Sequence, residues 1–284
     1  MPVPVRASQT QGAEWRRPID ASPSSRWSDL ERAEPIIVVD GLRKQFGSLA
    51  AVDGISFEVR RGEVFGILGP NGAGKTTTLE IIETLQRPSG GRVAVDGLDV
   101  VRDSWAVKSR IGVQLQAAGF YPELTLVQLL RLFAALYNAR ADPLALLRRF
   151  QLEDKAAAFY DKLSGGQKQR FSLATTLLHH PSVIFLDEPT TGLDPQARLN
   201  LWDLIREVRD EGVTVVFTTH YMEEAEQLCD RVAVMDRGLL IRIGSPPELI
   251  QELLATGFRK EVIRQEATME DVFLWLTGRS LRDE

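Results

Sequence analysis

The chain has 284 residues, of which 44% are hydrophobic, enough to bury the core of one large domain or two small ones. Its 34 basic and 39 acidic side chains leave a net charge of −5, which argues against a nucleic-acid-binding protein that relies on a basic surface. The single cysteine, Cys229, excludes an intramolecular disulfide and a cysteine-based metal cluster.

Residues 1–34 contain scattered proline, serine and charged side chains without helical or strand periodicity, so we expect a flexible tail there. The first thirty residues lack the apolar core of a secretory signal. No window of the chain reaches the roughly 18 consecutive apolar residues of a membrane span. These features predict a cytoplasmic protein; if it works at a membrane, another polypeptide supplies the span.

The pattern of apolar residues divides the rest of the chain into three regions. From Ile36, short β-rich runs separated by Gly and Asp predict strands and turns. Between Pro122 and Lys162, apolar residues recur at spacings of three and four and predict helices with one buried face, which includes Leu126, Leu129, Leu130, Phe133, Leu136 and Tyr137. Beyond Val183, apolar runs alternate with helical segments, which indicates an α/β fold whose parallel sheet is covered on both faces.

The segment "VFGILGPNGAGKTTTLEII" has the spacing of a phosphate-binding loop. Gly69, Gly74, Lys75 and Thr76 fit the pattern G-x-x-x-x-G-K-[ST], after a strand predicted at residues 64–68 and before a predicted helix. The glycines allow backbone N–H groups to turn towards a phosphate chain, and the start of the helix adds its positive dipole end. We expect Lys75 to neutralise the β- and γ-phosphates and the Thr76 hydroxyl to bind Mg²⁺.

Two further apolar segments place polar side chains at the ends of predicted strands. Residues 183–186 predict a buried strand that ends at Asp187, a candidate Mg²⁺ ligand either directly or through water. Glu188 follows on the opposite face of the strand, yet it becomes a candidate general base if the chain turns as it leaves the sheet. The segment "VTVVFTTH" ends at His220, which is placed to donate a hydrogen bond to a γ-phosphate.

The segment "LSGGQKQR" predicts a second helix start that suits an anion, because Ser164 is a good N-cap and two glycines follow it. We expect this helix to run from about Gly165 to His180, a length of about 24 Å, with His179 and His180 as favourable charges at its carboxyl end or as exposed side chains. Its amino end should then lie on the outer flank, away from Lys75. One chain cannot easily apply both helix starts to the same phosphate, whereas two chains placed head to tail can.

The segments "GPNGAGKTT", "LSGGQKQR", "VIFLDEPTTGLD" and "TTH", in this order, resemble the nucleotide-binding subunit of an ATP-binding cassette (ABC) transporter over about residues 36–250. The resemblance implies a P-loop NTPase (RecA-like) parallel-sheet core with an antiparallel β subdomain and an inserted α-helical subdomain. The implied domains are an ATPase domain at residues 35–255, with its helical subdomain at about 117–163, and a C-terminal extension at 256–284. The ending "ATMEDVFLWLTGRSLRDE" resembles daunorubicin-resistance-type exporter ATPases, whose membrane partners are of the ABC-2 kind.

The resemblance also implies which residues contact ATP and Mg²⁺. Phe46 would stack on adenine, at a position where tyrosine is commoner, and Gln116 would sense Mg²⁺ and the attacking water, with Gln114 as a nearby competitor. The implied ATP-binding residues are Phe46, Gly69, Pro70, Asn71, Gly72, Ala73, Gly74, Lys75, Thr76 and Thr77, together with Ser164, Gly165, Gly166 and Gln167 of the signature segment and Asp194, which would link the two sites. The implied catalytic residues are Lys75, Gln116, Glu188 and His220, and the implied Mg²⁺ ligands are Thr76, Gln116 and Asp187.

The resulting hypothesis is an ATPase that forms a homodimer around ATP and drives efflux of a drug, antibiotic or lipid-like substrate. A separate ABC-2-type permease would supply the membrane span, contacting a region that begins with "AAGFYPELT" at the inner face of the membrane. The alternatives are an importer ATPase, or a soluble ABC ATPase that acts on ribosomes or DNA.

Overall fold

The computed structural model describes residues 34–114 and 119–258; the predicted N-terminal tail up to residue 33 and the predicted C-terminal extension from residue 259 lie outside this part of the chain. The strands are β1 (Pro35–Phe46), β2 (Leu49–Arg60), β3 (Val64–Leu68), β4 (Gly90–Val95), β5 (Leu98–Asp99), β6 (Ile111–Gln114), β7 (Val183–Asp187), β8 (Thr214–Thr219), β9 (Arg231–Asp236) and β10 (Leu239–Gly244). The α-helices are α1 (Lys75–Ile82), α2 (Ser104–Lys108), α3 (Leu126–Leu136), α4 (Pro143–Arg149), α5 (Gly165–Thr176), α6 (Pro195–Asp210), α7 (Met222–Leu228) and α8 (Pro246–Ala255). Short 3-10 helices lie at Glu153–Lys155 and Tyr160–Lys162.

The strands form two sheets. In the described residues, the first sheet has the order β2-β1-β4-β5 and is antiparallel throughout. The second has the order β10-β9-β3-β8-β7-β6 and is parallel except for β10, which pairs antiparallel with β9. This architecture confirms the predicted parallel-sheet core with an antiparallel β subdomain. The Phe57 and Phe65 rings stack 5.5 Å apart in the apolar core that the two sheets share with α1.

The register of the parallel sheet brings the predicted site segments together. Strands β3, β7 and β8 are buried at every position. Leu68 pairs with Thr219, and Asp187 pairs with Thr218. Since parallel strands end at the same edge, the phosphate loop, Asp187 and His220 all leave the sheet on one side.

The helices inserted between β6 and α5 follow the predicted apolar spacing. Thr125 and Gln128 form a capping box at the start of α3. Leu126, Leu129 and Leu130 are fully buried, whereas Leu136, which the spacing placed on the same buried face, is 71% exposed. The apolar face therefore ends before the last turn of the helix.

The structure corrects two predictions at the end of α5. The helix was expected to reach His180 but ends at Thr176, with Leu177 as its C-cap. His179 was expected to be a favourable C-terminal charge or an exposed side chain. Instead its ring stacks on Tyr137 at 4.0 Å, its Nε2 lies 2.9 Å from the carbonyl oxygen of Ile111, and burial lowers its pKa. Its neutral form is therefore favoured.

The chain divides after Ser245 into two units, and α8 belongs to the C-terminal one. Within the described ranges, no helix combines the length and the apolar character that crossing a bilayer requires.

Glu83 lies at the end of α1, the helix that follows the phosphate loop. Its side chain is 2% exposed, and its Oε1 has no hydrogen-bond partner among the described residues. Burial, with smaller contributions from Asp187 and Glu80, raises the pKa of Glu83 from 4.5 to about 8. The folded protein therefore favours the protonated carboxyl at neutral pH.

This shift predicts a pH-dependent stability. Because the pKa of Glu83 is higher in the folded chain, its contribution to stability is complete below pH 4.5 and is lost as the pH rises through about 8. Glu83→Gln keeps a neutral group of similar shape at every pH, so its Tm should exceed that of the wild type by at least ~2 °C at pH 9, with a much smaller difference at pH 5. Thermal unfolding followed by circular dichroism at both pH values measures this. The control Glu58→Gln, at an exposed carboxylate on β2, should follow the wild type; an equal Tm difference at pH 5 and pH 9 for Glu83→Gln would contradict the assignment.

Candidate active site

The glycines of the phosphate loop are required by close contacts within the chain. A Cβ at Gly69 would lie 2.2 Å from the carbonyl oxygen of Met235, and one at Gly74 would lie 2.4 Å from that of Ala51. Gly74 also has a φ of +98°, in the left-handed region that favours glycine. The loop therefore needs glycine to fit between neighbouring backbone segments, in addition to any close approach to phosphate.

The start of α1 presents backbone donors that no side chain caps. Gly74 is its N-cap and makes no side-chain hydrogen bond, so N–H groups of the first turn are available to an anion. Lys75 is 4% exposed, and its Nζ donates a hydrogen bond to the carbonyl oxygen of Pro70 at 3.1 Å. A buried cation and a helix start thus converge on the same loop.

A cavity of about 620 Å³ opens beside this loop, within the size range of small-molecule sites. Phe46, at the end of β1, lines it, and the residue is 47% exposed. Lys44 Nζ lies 4.9 Å from the centre of the Phe46 ring. The other lining residues are Leu49, Ala50, Ala51, Asn71, Gly72, Gly74, Lys75, Thr76, Thr77, Glu188 and Arg237. Of the predicted loop residues, Gly69, Pro70 and Ala73 do not line the cavity.

Thr76 and Asp187 meet where the loop crosses the end of β7. The Thr76 hydroxyl lies 3.2 and 3.3 Å from the two carboxylate oxygens of Asp187. Thr218 Oγ1 donates to Asp187 Oδ1 at 2.5 Å, which orients that carboxylate. A hydroxyl and a carboxylate supply oxygen ligands of the kind that Mg²⁺ prefers.

Glu188 adopts a backbone conformation that turns it away from the regular strand direction. Its φ is +46°, in the left-handed region, which is unusual for a residue other than glycine. Its backbone N–H donates to Thr218 Oγ1 at 3.0 Å, and Thr191 Oγ1 donates to Glu188 Oε2 at 3.2 Å. The turn places Glu188 in the wall of the cavity that also contains Lys75, although neighbouring strand residues normally face opposite sides.

The Glu188 carboxylate lies between two groups that bind anions. Its Oε1 is 3.7 Å from Lys75 Nζ and 3.2 Å from His220 Nδ1. The contact with His220 lacks the alignment of a hydrogen bond, and the buried Nδ1 has no hydrogen-bond partner among the described residues. The structure thus brings Lys75, Glu188 and His220 together from three different strand ends.

The signature segment lines a separate cavity of about 400 Å³. Ser164 caps α5 as predicted and forms a capping box with Gln167. Asp194 caps α6, and its carboxylate accepts a hydrogen bond from the N–H of Ala197 at 2.8 Å. This cavity shares no lining residue with the one beside Lys75. The predicted binding residues therefore fall into two groups within one chain.

Gln116 lies outside the described residues, so its predicted role stays a prediction. The competing residue, Gln114, is the last residue of β6 and is 4% exposed. Its amide nitrogen donates to Gln169 Oε1, and its own Oε1 has no hydrogen-bond partner among the described residues.

Arg237 and Thr218 belong to this region but were not identified from the sequence. Arg237 lies in the turn between β9 and β10 and lines the 620 Å³ cavity. Arg237 directly follows "AVMD", the end of β9, as His220 directly follows the end of β8. A polar residue at the end of an apolar strand is therefore the signal that could have identified it. Thr218 holds both Asp187 and Glu188, a contact that only the pairing of β7 with β8 reveals.

Comparison with known proteins agrees with these features. The family model for ABC transporters matches residues 52–191. A daunorubicin resistance ATP-binding protein from Streptomyces coeruleorubidus is 46% identical over 240 residues, covering 83% of this chain and 75% of the relative. A Nod factor export ATP-binding protein I from Ralstonia nicotianae is 37% identical over 309 residues, covering 88% of this chain and 96% of the relative.

Solved structures show the same fold. An ATP-binding subunit of an ABC transporter aligns with a TM-score of 0.70 and 27% identity, covering 85% of this chain and 99% of that one. An ATP-binding cassette in a dimeric post-hydrolysis state, bound to ADP and Pi, aligns with a TM-score of 0.67 and 27% identity, covering 74% and 98%. With the phosphate loop, the acidic strand end and the signature segment in place, this chain belongs to the ABC transporter family as one of its ATP-binding subunits, an ATPase coupled to transport.

Proposed function

We propose that two copies of this chain bind ATP head to tail, so that the phosphate loop of one copy and the signature segment of the other enclose each nucleotide. The observation that supports this is the presence of two helix starts suited to anions, at Lys75 and at Gly165, in cavities that share no residue. Each cavity is open to solvent and supplies only part of an enclosure. A twofold arrangement satisfies both at once.

In this arrangement, the residues around the larger cavity bind the nucleotide. Phe46 offers a ring face for adenine, and the N–H groups at the start of α1 bind the phosphate chain with Lys75. Thr76 and Asp187 would hold Mg²⁺, which supplies positive charge to the terminal phosphates. Ser164 and Gly166 of the other copy would complete the enclosure at the γ-phosphate.

Glu188 would act as the general base for hydrolysis. Its carboxylate now contacts Lys75 and His220, two groups that also suit a γ-phosphate. Once phosphate oxygens take over those contacts, the carboxylate is available to accept a proton from the attacking water. The reaction releases ADP and phosphate, and the proton leaves through Glu188.

We infer that hydrolysis powers export through a separate membrane permease of the ABC-2 kind, at the inner face of the membrane. The names of the relatives support this direction, since one is a daunorubicin resistance protein and others are Nod factor export proteins. The segment from Gly119 to Thr125, between β6 and α3, borders a cavity of about 200 Å³ at Gly119 and Phe120 and exposes Tyr121. This surface is the proposed contact for the permease, and the substrate class is drug-, antibiotic- or lipid-like.

The direction of transport is tested by reconstitution with the membrane protein that copurifies with the tagged chain. In vesicles with the ATPase on the outside, an exporter should accumulate substrate in the lumen when Mg·ATP is added. Release of preloaded substrate from the lumen would instead indicate an importer, and ATP turnover with no effect of any permease would favour a non-transport ATPase.

Glu188→Gln removes the proposed base while keeping the size of the side chain. We expect the steady-state hydrolysis rate to fall by about 10² or more, because general base catalysis typically contributes that much. The variant should still bind Mg·ATP and should accumulate as a dimer, measured by size-exclusion chromatography with light scattering. Wild-type turnover by this variant would show that another group activates the water.

Ser164→Arg places a long charged side chain in the smaller cavity without touching the larger one. We expect the variant to bind a fluorescent ATP analogue as tightly as the wild type does, but to lose dimer formation and hydrolysis. The control Ser109→Arg makes the same change at an exposed serine after α2 and should keep full activity. Unchanged turnover by Ser164→Arg would contradict a shared site.

Mixing two inactive variants tests the sharing directly. A dimer of one Ser164→Arg chain and one Lys75→Ala chain contains one site in which both Lys75 and Ser164 are intact. Per heterodimer, we expect about half of the wild-type activity if the two sites act independently. A mixture as inactive as its components, with heterodimers demonstrated by cross-linking, would contradict independent shared sites.

A further inference from the structure

Glu224 is a buried carboxylate that none of the roles above includes. It lies in the first turn of α7 and is 1% exposed. Thr190 Oγ1 donates to its Oε1, and Thr219 Oγ1 donates to its Oε2 at 2.5 Å. Because an isolated carboxylate is costly to bury, these two hydroxyls are essential partners.

The two threonines belong to different segments of the active site. Thr190 lies two residues after Glu188, in the turn between β7 and α6. Thr219 is the last residue of β8 and directly precedes His220. Its hydroxyl also accepts a hydrogen bond from the N–H of Tyr221 at 2.9 Å, so it holds the backbone on both sides of His220. Glu224 therefore connects the segment of the proposed base to the segment of the histidine.

The backbone conformation of Glu188 explains why this connection matters. A residue other than glycine is strained in the left-handed region and persists there only where its surroundings hold it. Thr218 binds the N–H of Glu188 from the strand side. Glu224 fixes the other side of the turn, through Thr190, and thereby the direction in which the chain leaves Glu188.

We propose that Glu224 is a positioning residue that sets the distance between the Glu188 carboxylate and the His220 ring, which is 3.2 Å between Oε1 and Nδ1. This inference rests on the proposed roles of Glu188 and His220. Glu224 acts through Thr190 and Thr219 and lines neither the 620 Å³ cavity nor the 400 Å³ cavity. Its loss should change the rate of hydrolysis while the affinity for nucleotide is retained.

The test removes the hydroxyls one at a time, because Glu224→Ala alone risks unfolding the chain. Thr190→Val and Thr219→Val keep the shape of each side chain and delete its hydroxyl, which at Thr219 also accepts the hydrogen bond from the N–H of Tyr221. Each should lower kcat for ATP by about 10-fold or more, because a small displacement of a catalytic group slows the reaction strongly, while KM stays close to wild type. The Tm of each variant should fall, because one oxygen of the buried carboxylate loses its partner, so kcat is measured at a temperature at which every variant is folded. Glu224→Gln should retain most of the activity, because its amide accepts one hydrogen bond and donates another.

Thr214→Val is the matched control. Thr214 is a fully buried threonine at the opposite end of the same strand, where its hydroxyl accepts a hydrogen bond from the N–H of Gly62 at 2.9 Å. Any general effect of deleting a buried hydroxyl from β8 should appear there too. We expect kcat of this control within twofold of wild type.

A double-mutant cycle completes the design. If Thr190 and Thr219 both act through Glu224, then Thr190→Val should cost little further rate in the Thr219→Val background. Additive losses, wild-type kcat in Thr190→Val, or an equal loss in Thr214→Val would each overturn the inference. Glu188→Gln and His220→Ala are assayed in parallel: if they lose activity while Thr190→Val does not, only this inference fails, whereas full activity in both would refute the proposed function itself.

Discussion

The structure depends on the parallel pairing of β3, β7 and β8. These strands are buried at every position and most of their residues are apolar, so covering helices and neighbouring strands hold their register strongly. In that register, Leu68 lies beside Thr219 and Asp187 beside Thr218. Three loops that are far apart in the sequence therefore start within one or two residues of each other at the same edge. A shift of any one strand would separate the phosphate loop from its acidic partner.

Two consecutive threonines then convert this sheet edge into a rigid polar layer. Successive residues of a strand face opposite sides, and the two hydroxyls bind different partners accordingly. Thr218 binds Asp187 and the N–H of Glu188, whereas Thr219 binds Glu224 and the N–H of Tyr221. Buried polar groups with all their partners present rigidify a site. This layer explains how an unfavourable backbone conformation at Glu188 is maintained.

Motif spacing and apolar runs were sufficient to predict the fold class, the strand at residues 64–68 and the N-cap at Ser164. Features that depend on contacts between distant segments were harder to predict. The end of α5 was placed too late, and His179 was expected to be charged or exposed because its stacking on Tyr137 and its contact with Ile111 involve residues 40 to 70 positions away. The side of the strand on which the Glu188 side chain lies could be predicted only conditionally, because no local sequence pattern indicates a left-handed residue at the end of a strand. Arg237 was missed because, although it follows an apolar strand as His220 does, its segment matches no recognised motif.

A glycine can be required for packing or for the close approach of a ligand, and the sequence alone does not distinguish these two requirements. In the signature segment, glycine was attributed to close approach by a phosphate. A Cβ at Gly166 would, however, lie 2.9 Å from the Cβ of Ala197, so the chain needs a small residue there to pack α5 against α6 even without a nucleotide. A Cβ at Gly165 meets only Leu193 at 3.8 Å, an ordinary contact. Substitution at Gly166 would therefore combine a packing defect with any loss of binding. Ser164 is exposed at the N-cap of α5. A substitution there therefore tests the contribution of a second chain without the packing defect expected at Gly166.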